Sequence, residues 1–275
     1  MKKAYLITIF TIAFLCICIG VGYRVGKAAG FVKETFKEGI KNLPDLSVAI
    51  KDISFDTVTV SDLGSDVDDE WTVGDADKVT IDASVSEIVI ERGPVYKVTY
   101  EGKEKFRPDV TVSGKELKIR QTTIRTASFG AVKIKNKITV TVPETTDLSK
   151  LEIKCNVGDV RIVDITSDKT SIDAAVGTVY IEDGNYDSLK ITADVGEISV
   201  KKADFQEFNA DASVGDIKIT LKDSIDNYNF DLSASIADIE INGNSQGRHY
   251  RRTNASAEKY IDATASVGSM RIDGQ

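Results

Sequence analysis

The chain has 275 residues, of which 41% are hydrophobic and 28% are charged, and its formal net charge is -8. This length allows one large core or two small ones. The acidic balance disfavours a general nucleic-acid-binding protein, which needs a basic face to neutralise phosphates. Cys16 and Cys18 lie in the first apolar run, so Cys155 is the one cysteine downstream and no disulfide framework can form there.

The first 44 residues predict a membrane-proximal region. The run 4–22 holds no charge and is about long enough to cross a bilayer, which predicts a transmembrane signal-anchor over residues 1–23. A cleaved signal peptide is the alternative, but its apolar region is usually only about 7–15 residues long. Apolar side chains at helical spacing predict an amphipathic juxtamembrane helix over residues 24–44, lying on lipid or forming a stalk. Residues 45–78 are predicted to be an acidic linker or cap.

A repeated unit fills most of the chain from residue 79 to residue 275. Alternating apolar residues, a small residue and a Val-Gly pair are followed by more alternating apolar residues, as in LEIKCNVGDVRI at 151–162. From Val157 to Val214 the copies recur in three steps of 19 residues, and the later steps are 22 and 31. The copies are marked by Val157, Val176, Val195, Val214, Ile236 and Val267, with an earlier copy at Val85.

Each copy reads as two short strands around a corner, because strand alternation is broken once, at the glycine. One such rung cannot bury its apolar face alone, so a period near 20 residues predicts stacked rungs. We therefore predict an all-β fold, a β-solenoid (β-helix-like) of about 19-residue two-strand rungs, over residues 79–275. Between residues 92 and 150 the period lapses into longer strands, which predict a meander continuous with the same sheet.

The alternation also predicts which side chains face inward. The position two residues before each corner valine is small in every copy, as expected where a coil is narrowest: Ala83, Cys155, Ala174, Ala193, Ala212, Ala234 and Ala265. In one rung, the residues predicted to face inward are Ile172, Ala174, Val176, Val179 and Ile181. Those predicted to face solvent are Asp173, Thr178 and Tyr180.

The repeated small-x-Val-Gly-x-hydrophobic-x-Ile unit, seen at 174–181 and 193–200, resembles a bacterial adhesin-like family of unknown function. The resemblance covers residues 54–275. The layout of anchor, stalk and repeats is similar to the membrane-anchored LiaG-like members, which are encoded with envelope stress-response systems. The resemblance implies an envelope protein of the β-helix type and supplies no catalytic residues.

Few residues offer chemistry. His249 is the single histidine, which excludes a multi-histidine metal site, and Cys155 at an inward small position is expected to be an inert thiol. Asp159, Glu197, Asp216 and Asp238 occupy equivalent positions and could form a column that holds a cation, although neutralisation by neighbouring Arg and Lys is the stronger expectation. We predict no enzyme, no cofactor and no metal.

The candidate contact surface is a basic cluster in the segment 242–259, made of Arg248, His249, Tyr250, Arg251 and Arg252. Arginine beside tyrosine suits carboxylates and phosphates, so the expected partners are an anionic envelope polymer, a lipid head group or a protein. Replacing all three arginines is expected to leave folding intact. The predicted function is a single-pass cell-membrane protein that presents a binding or scaffolding surface outside the cytoplasm. A cytoplasmic-facing signalling scaffold and an enzyme acting on an envelope polysaccharide are the alternatives.

Overall fold

The structure is a computed structural model that describes residues 63–122, 135–236 and 238–274. The predicted transmembrane anchor and juxtamembrane helix lie outside the described residues. Within the part described, no helix is both long and apolar enough to span a membrane.

The described residues form 21 strands and two short 3-10 turns, Glu104–Phe106 and Ile225–Asn227. The strands of the first half are β1 (Asp66–Thr72), β2 (Lys78–Val85), β3 (Glu87–Gly93), β4 (Lys97–Lys103), β5 (Asp109–Ser113), β6 (Glu116–Arg120), β7 (Lys137–Pro143), β8 (Lys150–Val157), β9 (Val160–Val163), β10 (Thr166–Val176) and β11 (Val179–Glu182). Those of the second half are β12 (Asn185–Val195), β13 (Ile198–Lys201), β14 (Asp204–Val214), β15 (Ile217–Thr220), β16 (Tyr228–Ala234), β17 (Ile239–Ile241), β18 (Asn244–Gly247), β19 (His249–Arg252), β20 (Lys259–Val267) and β21 (Met270–Asp273).

The strands form two sheets that are parallel over most of their width. The short-strand sheet has the order β1-β4-β7-β3-β9-β11-β13-β15-β21-β17-β18. The long-strand sheet has the order β19-β16-β20-β14-β12-β10-β8-β2-β6-β5. Each rung is a strand of the long-strand sheet, a corner that is Val-Gly in five rungs, and a strand of the short-strand sheet, so the predicted repeat fold is confirmed as an all-β stack of two-strand rungs.

The rungs superpose residue on residue. Ile172 pairs with Ile153 on one side and with Ile191 on the other, which is the 19-residue step seen in the sequence. After β9, β11, β13 and β17 the chain turns through residues with positive φ: Asp164 (53°), Asp183 (57°), Lys202 (54°) and Asn242 (47°). Aspartate and asparagine tolerate this left-handed conformation better than most residues, which fits their use at three of the four turns.

The rungs do not stack in chain order. The last rung, β20–β21, lies directly on β14–β15, and the rung before it in sequence, β16–β17, lies outside it. At the opposite end, β2–β3 lies between β8–β9 and the later strands β6 and β7. The first and last rungs of the chain are therefore interior rungs of the stack.

The column of small side chains is confirmed. Each of the seven predicted residues is at most 1% exposed, and strand register stacks them in one line inside the coil. In the rung formed by β10 and β11, four residues predicted to face inward are buried: Ile172, Ala174, Val179 and Ile181. Asp173, which was predicted to face solvent, is exposed. Thr178 and Tyr180 are half-buried rather than fully exposed.

The segment between residues 92 and 150 is not a meander in one sheet. β4 and β7 join the short-strand sheet, whereas β5 and β6 join the long-strand sheet. The reason is that β6 and β7 extend the two parallel ladders through β2 and β3, as an irregular rung would. β5 and β4 then cover these two strands in antiparallel fashion, and β1, from the predicted acidic cap, pairs with β4 at the sheet edge.

Two buried amides complete the corner at this end. Gln121 Oε1 accepts hydrogen bonds from the backbone N–H groups of Ser84 and Val85, at 2.9 and 3.0 Å. Asn136 Nδ2 donates to the Val85 carbonyl at 2.8 Å. Because unpaired buried backbone groups are costly, these side chains replace the contacts that a regular neighbouring rung supplies elsewhere in the stack.

Glycine at the corner is required by the neighbouring rung as well as by the backbone angle. The φ values of Gly158, Gly177, Gly196, Gly215 and Gly268 lie between 142° and 152°. A Cβ placed on Gly196 would lie 1.8 Å from the Gly177 carbonyl oxygen, and the other four corners are equally tight, at 1.7–2.0 Å. The corner at Ser86, in the first rung, does not adopt a positive φ.

Candidate functional site

The predicted basic loop is mostly two edge strands. β18 pairs antiparallel with β17 on one sheet, and β19 pairs antiparallel with β16 on the other. The chain crosses between the sheets at Gly247, whose φ is 75°, and the Arg248 carbonyl accepts a hydrogen bond from the Ala234 N–H at 2.8 Å. The segment therefore closes one end of the rung stack.

Two arginines of the basic cluster are engaged within the chain. Arg251 forms a salt bridge with Asp231, and this hydrogen-bonded carboxylate raises the pKa of the guanidinium. Arg252 donates to the carbonyl oxygens of Ile225 and Tyr228 and lies 3.3 Å from an Asp226 oxygen. Replacing Arg252 would remove these contacts, and the expectation that all three arginines can be replaced with folding intact stays a prediction.

The rest of the cluster divides into packed and exposed side chains. The Tyr250 ring lies 6.1 Å from that of Phe230, and His249 Nδ1 is 3.2 Å from Ser233 Oγ. Arg248 is exposed, and its side chain has no ion-pair partner among the described residues. Partner binding by this cluster stays a prediction, and Arg248 is its most available charge.

Two of the four carboxylates of the predicted column accept backbone hydrogen bonds. Asp159 Oδ1 accepts from the Thr178 N–H of the next rung at 2.7 Å. Asp216 Oδ1 accepts from the N–H and hydroxyl of Ser269, both at 2.8 Å, and the backbone hydrogen bond is the main reason why the pKa of Asp216 is lowered. The last rung of the chain, β20–β21, lies between the rungs that carry Asp216 and Asp238. Its residue Ser269 therefore lies between these two carboxylates in the column. In the described ranges, no group of three or more potential ligands is placed to hold a metal.

Cys155 is the buried thiol that its position predicts. It is 1% exposed, and its Sγ lies 3.5 Å from the Ser86 carbonyl oxygen. Burial, with a contribution from Asp159, raises the pKa of the thiol to about 12. The thiolate is the reactive form of cysteine, so this residue is not a nucleophile near neutral pH.

Four of the six corner valines are exposed, contrary to the inward orientation predicted for Val176. Val176 is 42% exposed, because it is the last residue of its strand and the backbone turns immediately after it at Gly177. Strand register aligns this residue with its equivalents in neighbouring rungs, and we call this column the valine ridge: Val85, Val157, Val176, Val195, Val214 and Val267.

The ridge is a continuous apolar feature of the surface. Val157, Val214 and Val267 are 46%, 38% and 39% exposed, whereas Val85 and Val195 are half-buried. Five steps at the usual strand spacing of about 4.8 Å give it a length of roughly 24 Å. Single exposed valines are ordinary on protein surfaces, but an aligned apolar column is typical of a surface that contacts something else.

The fold and this surface define a repeat protein of the all-β class with a rigid, regularly spaced exterior. The chain belongs to the Toastrack DUF4097 family, with overlapping matches over residues 76–207 and 145–273. No curated protein has a significantly similar sequence.

Two solved bacterial structures are similar to this chain. A candidate cell adhesion protein from Clostridium sporogenes is 14% identical, with a TM-score of 0.50 over 77% of this chain and 100% of that one. A candidate adhesin from Bacteroides fragilis is 16% identical, with a TM-score of 0.44 over 77% of this chain and 97% of that one. At 14% identity, the likeness to the first of these structures concerns the fold alone.

Proposed function

We propose that this chain is a single-pass cell-membrane protein of the bacterial envelope that presents its stacked rungs as a binding or scaffolding surface outside the cytoplasm. The valine ridge is the observation that carries the binding role. Burying exposed apolar surface is favourable by about 25 cal/mol per Å², so a contiguous ridge supplies affinity that scattered side chains do not. The uncharged run at 4–22 supports the anchor, and the resemblance to LiaG-like proteins supports a link to envelope stress.

The rung stack suits this role because it is rigid. Its parallel ladders are continuous from β7 to β17 in the short-strand sheet and from β6 to β16 in the long-strand sheet. Side chains on such a frame keep fixed spacings, so little conformational entropy is lost when a partner docks.

Arg248 supports a second contact, at the end of the stack. Its exposed guanidinium, beside the edge strands β18 and β19, suits an anionic envelope polymer or a lipid head group. This proposal no longer includes Arg252, whose guanidinium is engaged by backbone carbonyls.

The anchor and the orientation are tested together by cysteine labelling of the full-length chain in intact cells. Ser245 is exposed on β18, so Ser245→Cys places a small thiol on the surface. We expect a membrane-impermeant maleimide to label this variant before lysis, and the chain to stay with membranes during a carbonate wash. The parent chain, which keeps its three cysteines, is the control.

Labelling of Ser245→Cys only after lysis would favour the cytoplasmic-facing scaffold instead. Release of the chain by carbonate would contradict the anchor. An enzymatic role is not proposed, because neither the repeat motif nor the family match assigns catalytic residues.

A further inference from the structure

We propose that the valine ridge docks an amphipathic helix with basic flanks, supplied by a partner protein. This inference rests on the proposed binding function and names the partner for the ridge. It follows from four properties of the ridge: its preorganisation, its low flanks, its charge and its repeat distance.

The ridge is held in place before any partner arrives. The carbonyls of Val176, Val195 and Val214 accept hydrogen bonds from the corner glycine of the preceding rung at 2.9–3.0 Å. Each valine is therefore fixed through its backbone on a paired strand end. A partner that docks here orders few side chains, since valine has a single side-chain torsion.

The positions on both sides of the ridge carry no side chain or mostly small ones. On one side lie the corner glycines of five rungs, which have no side chains to shield it, and Ser86 of the first rung. On the other side, the preceding positions hold mostly small side chains: Ser84, Asn156, Ala175, Asp194, Ser213 and Ser266. Among the described residues, the part of the ridge from Val157 to Val267 is thus flanked mostly by glycines and small side chains, which leaves room for a rod-shaped partner.

The residues next to the ridge valines in sequence are acidic wherever they are charged. In each of the six rungs, the residue before the valine and the two residues after it include no lysine or arginine. The same positions hold five carboxylates: Glu87, Asp159, Asp194, Glu197 and Asp216. Asp159 and Asp216 accept backbone hydrogen bonds, and Glu197 forms a salt bridge with Lys218 at 2.7 Å.

This charge distribution selects a basic partner. A second copy of the chain would bring like-charged carboxylates together along the ridge, which opposes association. A helix with Lys or Arg on both sides of an apolar stripe would meet the carboxylates instead, and long basic side chains reach outward while their stems cover apolar surface.

The repeat distance favours a helix over an extended chain. Apolar side chains on one helix face recur about every 3.5 residues, or roughly 5.3 Å, close to the rung spacing of about 4.8 Å. Alternate residues of a strand recur about every 6.6 Å and fall out of step after two rungs. A helix of about 16 residues spans the roughly 24 Å of the ridge.

The test measures binding of a synthetic helical peptide to the full-length chain in nanodiscs of zwitterionic lipid. The labelled 18-residue peptide carries Leu along one face and Lys on both flanks, and binding to empty nanodiscs is subtracted. We expect saturable binding that weakens at least tenfold in the triple variant Val157→Thr, Val176→Thr and Val214→Thr. Threonine keeps the branched shape and the strand preference of valine, so these exposed sites should stay folded.

The matched control replaces exposed valines that lie outside the ridge. Val95 and Val112 are 55% and 44% exposed, and Val95→Thr with Val112→Thr should leave peptide affinity within twofold of the parent. Neutralising the rim with Asp194→Asn and Glu197→Gln should weaken binding about threefold and reduce its salt dependence.

Three results would overturn the proposal. The first is equal peptide affinity for the triple variant and the parent chain. The second is equally tight binding of a scrambled peptide, or of one with Glu in place of Lys. The third is self-association of the chain that the triple variant abolishes and the peptide does not displace, since the ridge would then serve a second copy. Cysteine labelling and the carbonate wash report on the orientation and the anchor and not on the ridge, so failure of those assays is distinguishable from failure of this one.

Discussion

Replacing Gly196 by alanine tests the central packing feature of the rungs. The new Cβ would lie 1.8 Å from the Gly177 carbonyl oxygen, and the φ of 150° is one that alanine rarely adopts. Backbone strain of this kind costs about 1–3 kcal/mol. Relieving the clash must also weaken the 2.9–3.0 Å bonds that link the corner to its neighbours, at about 1 kcal/mol each.

The expected total for Gly196→Ala is therefore about 3–5 kcal/mol of lost stability. For a domain of this size that corresponds to a melting temperature lower by roughly 6–20 °C. Thermal unfolding of the purified full-length chain, followed by circular dichroism in the β-sheet region, measures it.

Alanine variants of two other glycines distinguish the cost of the steric clash from the cost of the positive φ. Gly114 has a φ of 60°, and no atom lies within 4 Å of the position that a Cβ would take, so Gly114→Ala should cost only about 1–2 kcal/mol. Gly74 has open space and no positive φ, so Gly74→Ala should be close to neutral. If Gly196→Ala is no more destabilising than Gly114→Ala, the close stacking of the corners is refuted.

Three further predictions concern single side chains. Ala193→Glu should destabilise the chain by at least about 3 kcal/mol, because Ala193 is fully buried, whereas Thr192→Gln on the outer face should change its thermal stability little. Cys155 should resist maleimide in the native chain at pH 8 and react once urea unfolds it, since burial raises its pKa to about 12; rapid native labelling would contradict its inward position. Arg252→Gln should lower the urea midpoint by leaving the Ile225 and Tyr228 carbonyls with weaker partners, whereas Arg248→Gln should leave the midpoint unchanged.

The repeat fold was predictable because its determinants are local. A small residue, a valine and a glycine recur in fixed relation to alternating apolar positions, and each rung presents the same pattern to its neighbours. Burial of the column through Ala174 and Ala193 follows directly from that pattern, since only small side chains fit between two sheets at the narrow end of a rung.

The orientation of Val176 was not predictable from alternation alone. Alternation assumes an extended backbone, and the φ of 146° at Gly177 ends it one residue later. The usable signal was the glycine itself, since a valine that directly precedes a corner points past the edge of the sheet rather than between the sheets. Because alternation assigned the corner valines to the core, the sequence pattern indicated the arginines of β19 as the candidate surface instead.

The stacking order of the outer rungs was not predictable from the sequence either. Steps of 22 and 31 residues show that segments are inserted before Val267, but they do not show which rung the inserted chain passes. The structure shows one feature that holds the inserted rung: Lys259, at the start of β20, contacts Asp204 and lies 2.6 Å from an Asp223 oxygen. Burial opposes the charge on Lys259, but these hydrogen-bonded carboxylates raise its pKa overall, so the pair of contacts persists at neutral pH.

At both ends of the stack, additional strands cover the edge of the parallel ladders, but the strands differ between the two ends. A parallel ladder exposes unpaired N–H and C=O groups at its last strand, which invites pairing with another chain. One end is covered by the antiparallel strands β18 and β19, and the other by β5 and by the pair β4–β1. β1 carries Asp66, Asp68 and Glu70 along its exposed side, and charge on an edge strand disfavours further pairing. The acidic stretch before the first rung is therefore explained by edge protection, which leaves the apolar ridge as the surface on which a partner gains most by docking.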